Sequence, residues 1–250
     1  MYGQFAYVYD QLMREMPYPR WLRFLRDCFQ RYGQPERIVD LGCGTGTIAL
    51  ALAEYGMQVT GIDLSDDMLA VAAHHASDKS LVAIPQWVQQ DMREWTLPEP
   101  VDCVYSFCDC LNYVLEEDGI RSTFRQTYAG LREGGLFVFD VHAPAQLLTY
   151  AQEQPFIYDE DEVAYIWTCD YDPDRLQVQH DLTFFVRDEQ QANRYVRFQE
   201  QHRQRAYQLD WLSDELRAAG FVVVDRCADF TWSAPDDDSE RIFFVAKKLA

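Results

Sequence analysis

The chain has 250 residues, 48% of them hydrophobic and 14% aromatic, which suits a compact α/β enzyme of one domain and excludes a disordered chain. Its formal net charge of −19 opposes binding to a phosphate backbone, whose affinity comes from Lys and Arg, so a nucleic acid partner is not expected. No apolar run approaches the roughly 18 to 20 residues that span a membrane. The first residues lack the basic and apolar segments of a signal peptide, and seven cysteines without framework spacing suit reduced thiols, so a cytoplasmic protein is expected.

Phe5, Tyr9, Leu12, Met13 and Met16 keep helical period, and Pro17 and Pro19 break the pattern. Tyr18, Trp21, Leu22, Leu25, Cys28, Phe29 and Tyr32 resume it up to Gly33, a suitable C-cap. Residues 1–33 therefore read as a helical cap. Ile38, Val39 and Leu41 form a buried strand that carries Asp40, and Gly42, Gly44 and Gly46 follow at every second position. A helix over 47–55 starts at once. A strand, a glycine turn and a helix N-terminus in that order form the nucleotide-binding start of a doubly wound α/β fold. The spacing Gly-x-Gly-x-Gly differs from the Gly-x-Gly-x-x-Gly of dinucleotide enzymes.

A second strand over 57–62 ends at Asp63, 17 residues past Gly46, the position that bonds a ribose diol. Ser65 caps the next helix, with Asp66 and Asp67 in its first turn. A third strand, 85–90, is followed by Asp91 and Met92. A fourth, 101–107, leads into Cys108, Asp109, Cys110, Asn112 and Tyr113. Open α/β sheets bind ligands at the carboxyl ends of their strands, so Phe107, Asp109, Asn112 and Tyr113 are site candidates. Cys108 and Cys110, as a lone C-x-C, read as packing, and no metal site is expected. Ile120, Phe124, Tyr128 and Leu131 mark a helix, 133–135 a turn, and 136–141 a fifth strand with His142 directly beyond it.

Residues 156–205 change character. Alternating runs over 163–171, 176–186 and 195–207 read as an antiparallel meander of three strands. A helix over 210–219 and strands over 221–227 and 241–247 complete the chain.

Val39-Asp40-Leu41-Gly42-Cys43-Gly44-Thr45-Gly46, Asp63 and Asp91-Met92-Arg93 resemble the cofactor motifs of class I S-adenosyl-L-methionine-dependent methyltransferases. Within that family the chain is most similar to small bacterial enzymes that dimethylate nucleotide-linked amino sugars, and to stand-alone relatives. Val8-Tyr9-Asp10, Asp91-Met92-Arg93 and Glu200-Gln201-His202 followed by the Trp211 helix carry that finer likeness. The resemblance implies a doubly wound, Rossmann-like sheet of seven strands, the last antiparallel, with the β-meander as an insert. It places Asp40, Gly42, Gly44 and Gly46 in the cofactor site and Asp63 on the ribose. Asp91 would take the adenine amino group, with Leu64, Met68, Met92 and Phe107 around the adenosine and Tyr9 and Trp21 closing over it.

The expected function is methyl transfer from S-adenosyl-L-methionine to a small soluble acceptor, expected to be an amine. Such a displacement needs alignment and exclusion of water more than strong acid or base. His142, Glu200 and His202 are the candidates for taking a proton; Glu200 and His202 share a strand face. The cofactor motifs all precede residue 113, so the insert is expected to serve the acceptor, as a lid or as the surface of a homodimer. Two alternatives stay open: a nicotinamide-dependent oxidoreductase, against which the glycine spacing, Asp40 and Asp91 stand, and a non-catalytic S-adenosyl-L-methionine-binding module.

Overall fold

The computed structural model describes residues 12, 13, 16–188 and 194–249, so Tyr9 and most of the first expected helix lie outside the described residues. Helix α1 (Tyr18–Tyr32) starts behind Pro17 and buries Trp21, Phe24, Leu25, Cys28 and Phe29, one stripe at helical spacing. Strand β1 (Arg37–Leu41) follows, then α2 (Thr47–Glu54), β2 (Gln58–Asp63) and α3 (Asp66–Ser77). The Ser65 hydroxyl caps α3 by accepting from the Met68 N–H at 3.2 Å. Strands β3 (Gln86–Gln89) and β4 (Val101–Ser106) come next, and a 3-10 turn over Cys110–Tyr113 leads to α4 (Glu117–Gly130) and β5 (Leu131–His142).

Two elements were not anticipated. Helix α5 (Pro144–Glu153) buries only Leu147 and so carries little periodic signal. Strand β6 (Phe156–Asp159) is four residues long, too short to show alternation. It pairs with β7 (Val163–Asp172), so the insert is a sheet of four antiparallel strands with β8 (Gln177–Arg187) and β9 (Tyr195–Arg205), and not of three. Leu131 opens β5 and does not close the helix before it, because it pairs with Val101 before the register passes to Cys103 and Leu136. Helix α6 (Leu209–Ala218) and strands β10 (Phe221–Ala228) and β11 (Arg241–Lys248) end the chain.

The main sheet has the order β10-β11-β5-β4-β1-β2-β3. β1 to β5 run parallel, and β11 lies antiparallel between β5 and β10. Alternation along the strands divides the core into two layers. Phe137 and Phe139 face α4 and α6, whereas Leu136 and Val138 face α1 and α2. The chain leaves β1 toward β2 and β3, then crosses back to β4 on its other side. That reversal opens the crevice in which doubly wound sheets bind their ligands.

Candidate functional site

A cleft of about 1090 Å³ opens over the β1–β4 reversal, slightly larger than the ~300–1000 Å³ of most small-molecule sites. Asp40, Gly42, Gly44, Asp63, Leu64, Met68, Asp91, Met92, Phe107, His142 and His202 all line it, as do Asp109 and Tyr113. The strand ends bring these residues together although they are spread from 40 to 202. No helix is long and apolar enough to cross a membrane, and no group of His, Cys, Asp or Glu could hold a metal, among the described residues.

The glycine turn divides into three roles. Gly44, at φ +52°, has nothing within 4 Å of where a Cβ would stand, so its backbone is open to a ligand. A Cβ on Gly42 would meet Cys110 Sγ at 2.8 Å, which puts Cys110 in a packing role. Gly46 does not line the cleft; a Cβ there would meet the Trp87 ring at 2.5 Å, so this glycine serves helix packing and not the cofactor.

Asp63 accepts the Gly44 N–H at 2.8 Å and the Ser65 N–H at 2.9 Å, which ties the glycine turn to the end of β2. Burial nonetheless raises its carboxyl above the ordinary range. Asp40 is 4% exposed, and burial pushes its carboxyl up to about 7 while the Tyr105 hydroxyl pulls the other way. Asp91 is held by Arg93 through Nε at 2.9 and 3.1 Å and Nη2 at 2.5 Å, and that guanidinium lowers its carboxyl. Leu64, 65% exposed, and Met68 give the same end of the cleft an apolar wall.

The other end joins Asp109 and His142, which the strand ends mark in the sequence, to residues that local patterns missed. Arg241, the first residue of β11, stands opposite His142 in the ladder. Its guanidinium donates to Asp109 Oδ1 at 2.9 Å, to Asp140 Oδ2, and to His142 Nε2 at 2.6 Å. Asp109 reaches it because Cys108 and Asp109 both take left-handed backbone, φ +57° and +53°, which turns the chain sharply after β4. Burial works to raise the Asp109 carboxyl, but the Arg241 guanidinium and the Gln204 amide bonded to it work the other way and hold it below the usual range. Burial pushes Asp140 up to about 6 against the pull of Arg241. One signal for Asp140 was available: a lone acid inside the apolar run of β5. Gln204, Tyr150, Trp167 and His180 complete this end.

Three expected residues stand elsewhere. Trp21 is 1% exposed, packed edge-on against Phe230 with its ring centroid 4.7 Å away and under the Arg241 guanidinium, so it does not close over a cofactor. Glu200 shares the inner face of β9 with His202 but does not line the cleft, where its ladder partner Leu182 fills the wall. Asn112 is fully buried and does not line the cleft. It accepts the His142 N–H at 2.9 Å and donates to the carbonyls of His142 and Arg205, tying β5 and β9 to the 3-10 turn. The insert reaches further than expected. Its Phe184 also packs on Met68 of α3, behind the apolar wall of the cleft.

Comparison with known proteins agrees with this architecture. A family model described as a methyltransferase domain matches residues 38–135. The chain is 44% identical over 249 residues, 99% of each chain, to a Geobacillus sp. (strain WCH70) protein whose name assigns it to the methyltransferases without an acceptor. It is similar in structure to an S-adenosylmethionine-dependent methyltransferase from Clostridium acetobutylicum, at TM-score 0.87 and 27% identity over 100% of this chain and 99% of that one. The sugar N-methyltransferase KedS8 from Streptoalloteichus sp. shares the fold at TM-score 0.78 and 18% identity, covering 98% and 93%. The open backbone at Gly44, the acid ending β2 and the apolar wall beside it fit the cofactor of such enzymes, and the chain belongs to the S-adenosyl-L-methionine-dependent methyltransferases.

Proposed function

We propose that the chain methylates the nitrogen of a small soluble amine. The observation that carries this reading is the charge of the cleft. Its lining holds seven carboxylates (Asp40, Asp63, Asp66, Asp67, Asp91, Asp109 and Glu116) and two guanidiniums, Arg93 and Arg241. Arg93 is paired with Asp91, and Arg241 with Asp109 and Asp140, so neither positive charge is left for an anion. A field of this sign draws in a sulfonium and an amine, and it repels carboxylates, phosphates and nucleic acid. KedS8 shows that the same fold serves sugar N-methylation in another protein.

The cofactor supplies an electrophilic methyl carbon. Asp63 would hold the ribose and Asp91 the adenine amino group, and Leu64, Met68, Met92 and Phe107 would enclose the adenosine. Asp40 and the Gly44 backbone hold the methionine end. At the far end, Trp167 and Tyr113 wall the acceptor and exclude water. Burial, with His180 nearby, lowers the His202 ring below its ordinary value, so it is neutral at pH 7 and can take the amine proton.

The test is transfer of labelled methyl from S-adenosyl-L-methionine to separate pools of amines, hydroxy acids and transfer RNA. Label is expected in the amine pool. Label confined to the acids or the RNA overturns the reading.

A further inference from the structure

Two buried histidines face the acceptor end of the cleft, and their hydrogen bonds decide where each proton sits. Gln204 sets the first. Its Nε2 lies 2.6 Å from Asp109 Oδ2, a carboxylate that only accepts, so the amide cannot be turned the other way. Gln204 Oε1 therefore faces His180 Nε2 at 3.2 Å, and that nitrogen carries the His180 proton. His180 Nδ1 then accepts the Trp167 Nε1–H at 3.0 Å. Both nitrogens of His180 are used inside the protein.

His142 is different. The Arg241 guanidinium can only donate, and its Nη2 stands 2.6 Å from His142 Nε2, so that nitrogen accepts. Asp109 Oδ1 lies 3.5 Å from the same nitrogen but already takes Arg241 Nη2 at 2.9 Å. The ring proton must sit on Nδ1. His142 is 5% exposed, lines the cleft, and its Nδ1 has no hydrogen-bond partner among the described residues. A buried donor left without a partner costs about 1 to 3 kcal/mol and calls for an explanation.

We propose that His142 is a fixed, neutral N–H donor that holds the acceptor through an uncharged oxygen, and that it does not act as the base. Its surroundings favour the neutral ring: burial, the Arg241 charge and His180 outweigh Asp109 and the Gln204 side chain and push its pKa down to about 4. An anionic oxygen is disfavoured, because Arg241 is already neutralised by Asp109 and Asp140. The substrate class that follows is an amine carrying a nearby hydroxyl, carbonyl or ether oxygen. This substrate half rests on the amine reading above, whereas the proton assignment does not.

The experiment has two arms. Long-range proton–nitrogen spectra of protein labelled in its five histidines, assigned with His142→Asn, read the tautomer from pH 5 to 8. The expected result is an Nδ1–H ring that does not titrate; an Nε2–H ring, or titration in that range, overturns the proposal. The second arm compares trans-2-aminocyclohexanol with cyclohexylamine as acceptors. A site built to bond an oxygen rejects the analogue lacking it, so kcat/KM should favour the amino alcohol at least tenfold. His142→Ala should reduce the preference below threefold, and His142→Asn, whose amide N–H stands near the lost Nδ1–H, should keep it. A preference unchanged in His142→Ala overturns the acceptor contact. If wild type methylates neither amine, the amine reading falls by itself and the tautomer still decides the state of His142.

Discussion

Gly44 and Gly46 stand two residues apart in one turn and answer to different forces. A Cβ on Gly44 enters open space in the cleft, whereas one on Gly46 enters the Trp87 ring. Both have positive φ, so both Ala variants carry backbone strain. Gly46→Ala adds overpacking of about 1 to 3 kcal/mol and should show chiefly as a lower urea midpoint. Gly44→Ala should instead lose S-adenosylhomocysteine affinity by more than it loses stability. Asp40 carries a separate signature in pH. Its carboxyl titrates near 7 when folded and near 3.8 when unfolded, so the folded state holds a proton that the unfolded chain releases. Stability should therefore fall as pH climbs from about 4 toward 7 and level off above it. At about 1.4 kcal/mol per pH unit the loss between pH 5 and 8 is at most about 3 kcal/mol. Urea midpoints should show it in wild type and show less of it in Asp40→Asn.

Among the elements, the join of β5 to β11 bears most on the site. Arg241 stands across from His142 and bonds Asp140 two residues back on β5, besides Asp109 beyond β4. Arg241→Ala should destabilise the protein by about 3 to 5 kcal/mol in urea unfolding, because it strands buried carboxylates. Adding Asp140→Asn should recover part of that loss; simple additivity would contradict the cluster. Asp140 is a lone acid in an apolar strand and Arg241 the start of another, and neither is a candidate on sequence alone. What the sequence could not show was the register that joins them, since no local pattern encodes which residues of two distant strands face each other. The insert divides in the same way. Alternation marked its three long strands and put Glu200 and His202 on one face, yet only His202 lines the cleft. How far along a strand the cleft extends depends on tertiary packing.

Over the whole molecule, the legible half of the cleft is the half built locally. A strand, a glycine turn, a helix and an acid at the end of the next strand are short-range patterns, and the sheet delivers them to one edge. The other half joins Asp109 and His142, marked by their strand ends, to Trp167, His180, Gln204 and Arg241 from segments that meet only in the folded chain. This division makes the central claim of two adjoining subsites testable in one measurement, a calorimetric titration of S-adenosylhomocysteine into wild type, Asp63→Ala and Trp167→Ala. Asp63→Ala should weaken binding by about 1.5 to 3 kcal/mol, the scale of a hydrogen bond to a charged group. Trp167→Ala should stay within about 1 kcal/mol of wild type, under roughly a fivefold change in Kd. Equal losses in the two variants, or full affinity in Asp63→Ala, would contradict the division.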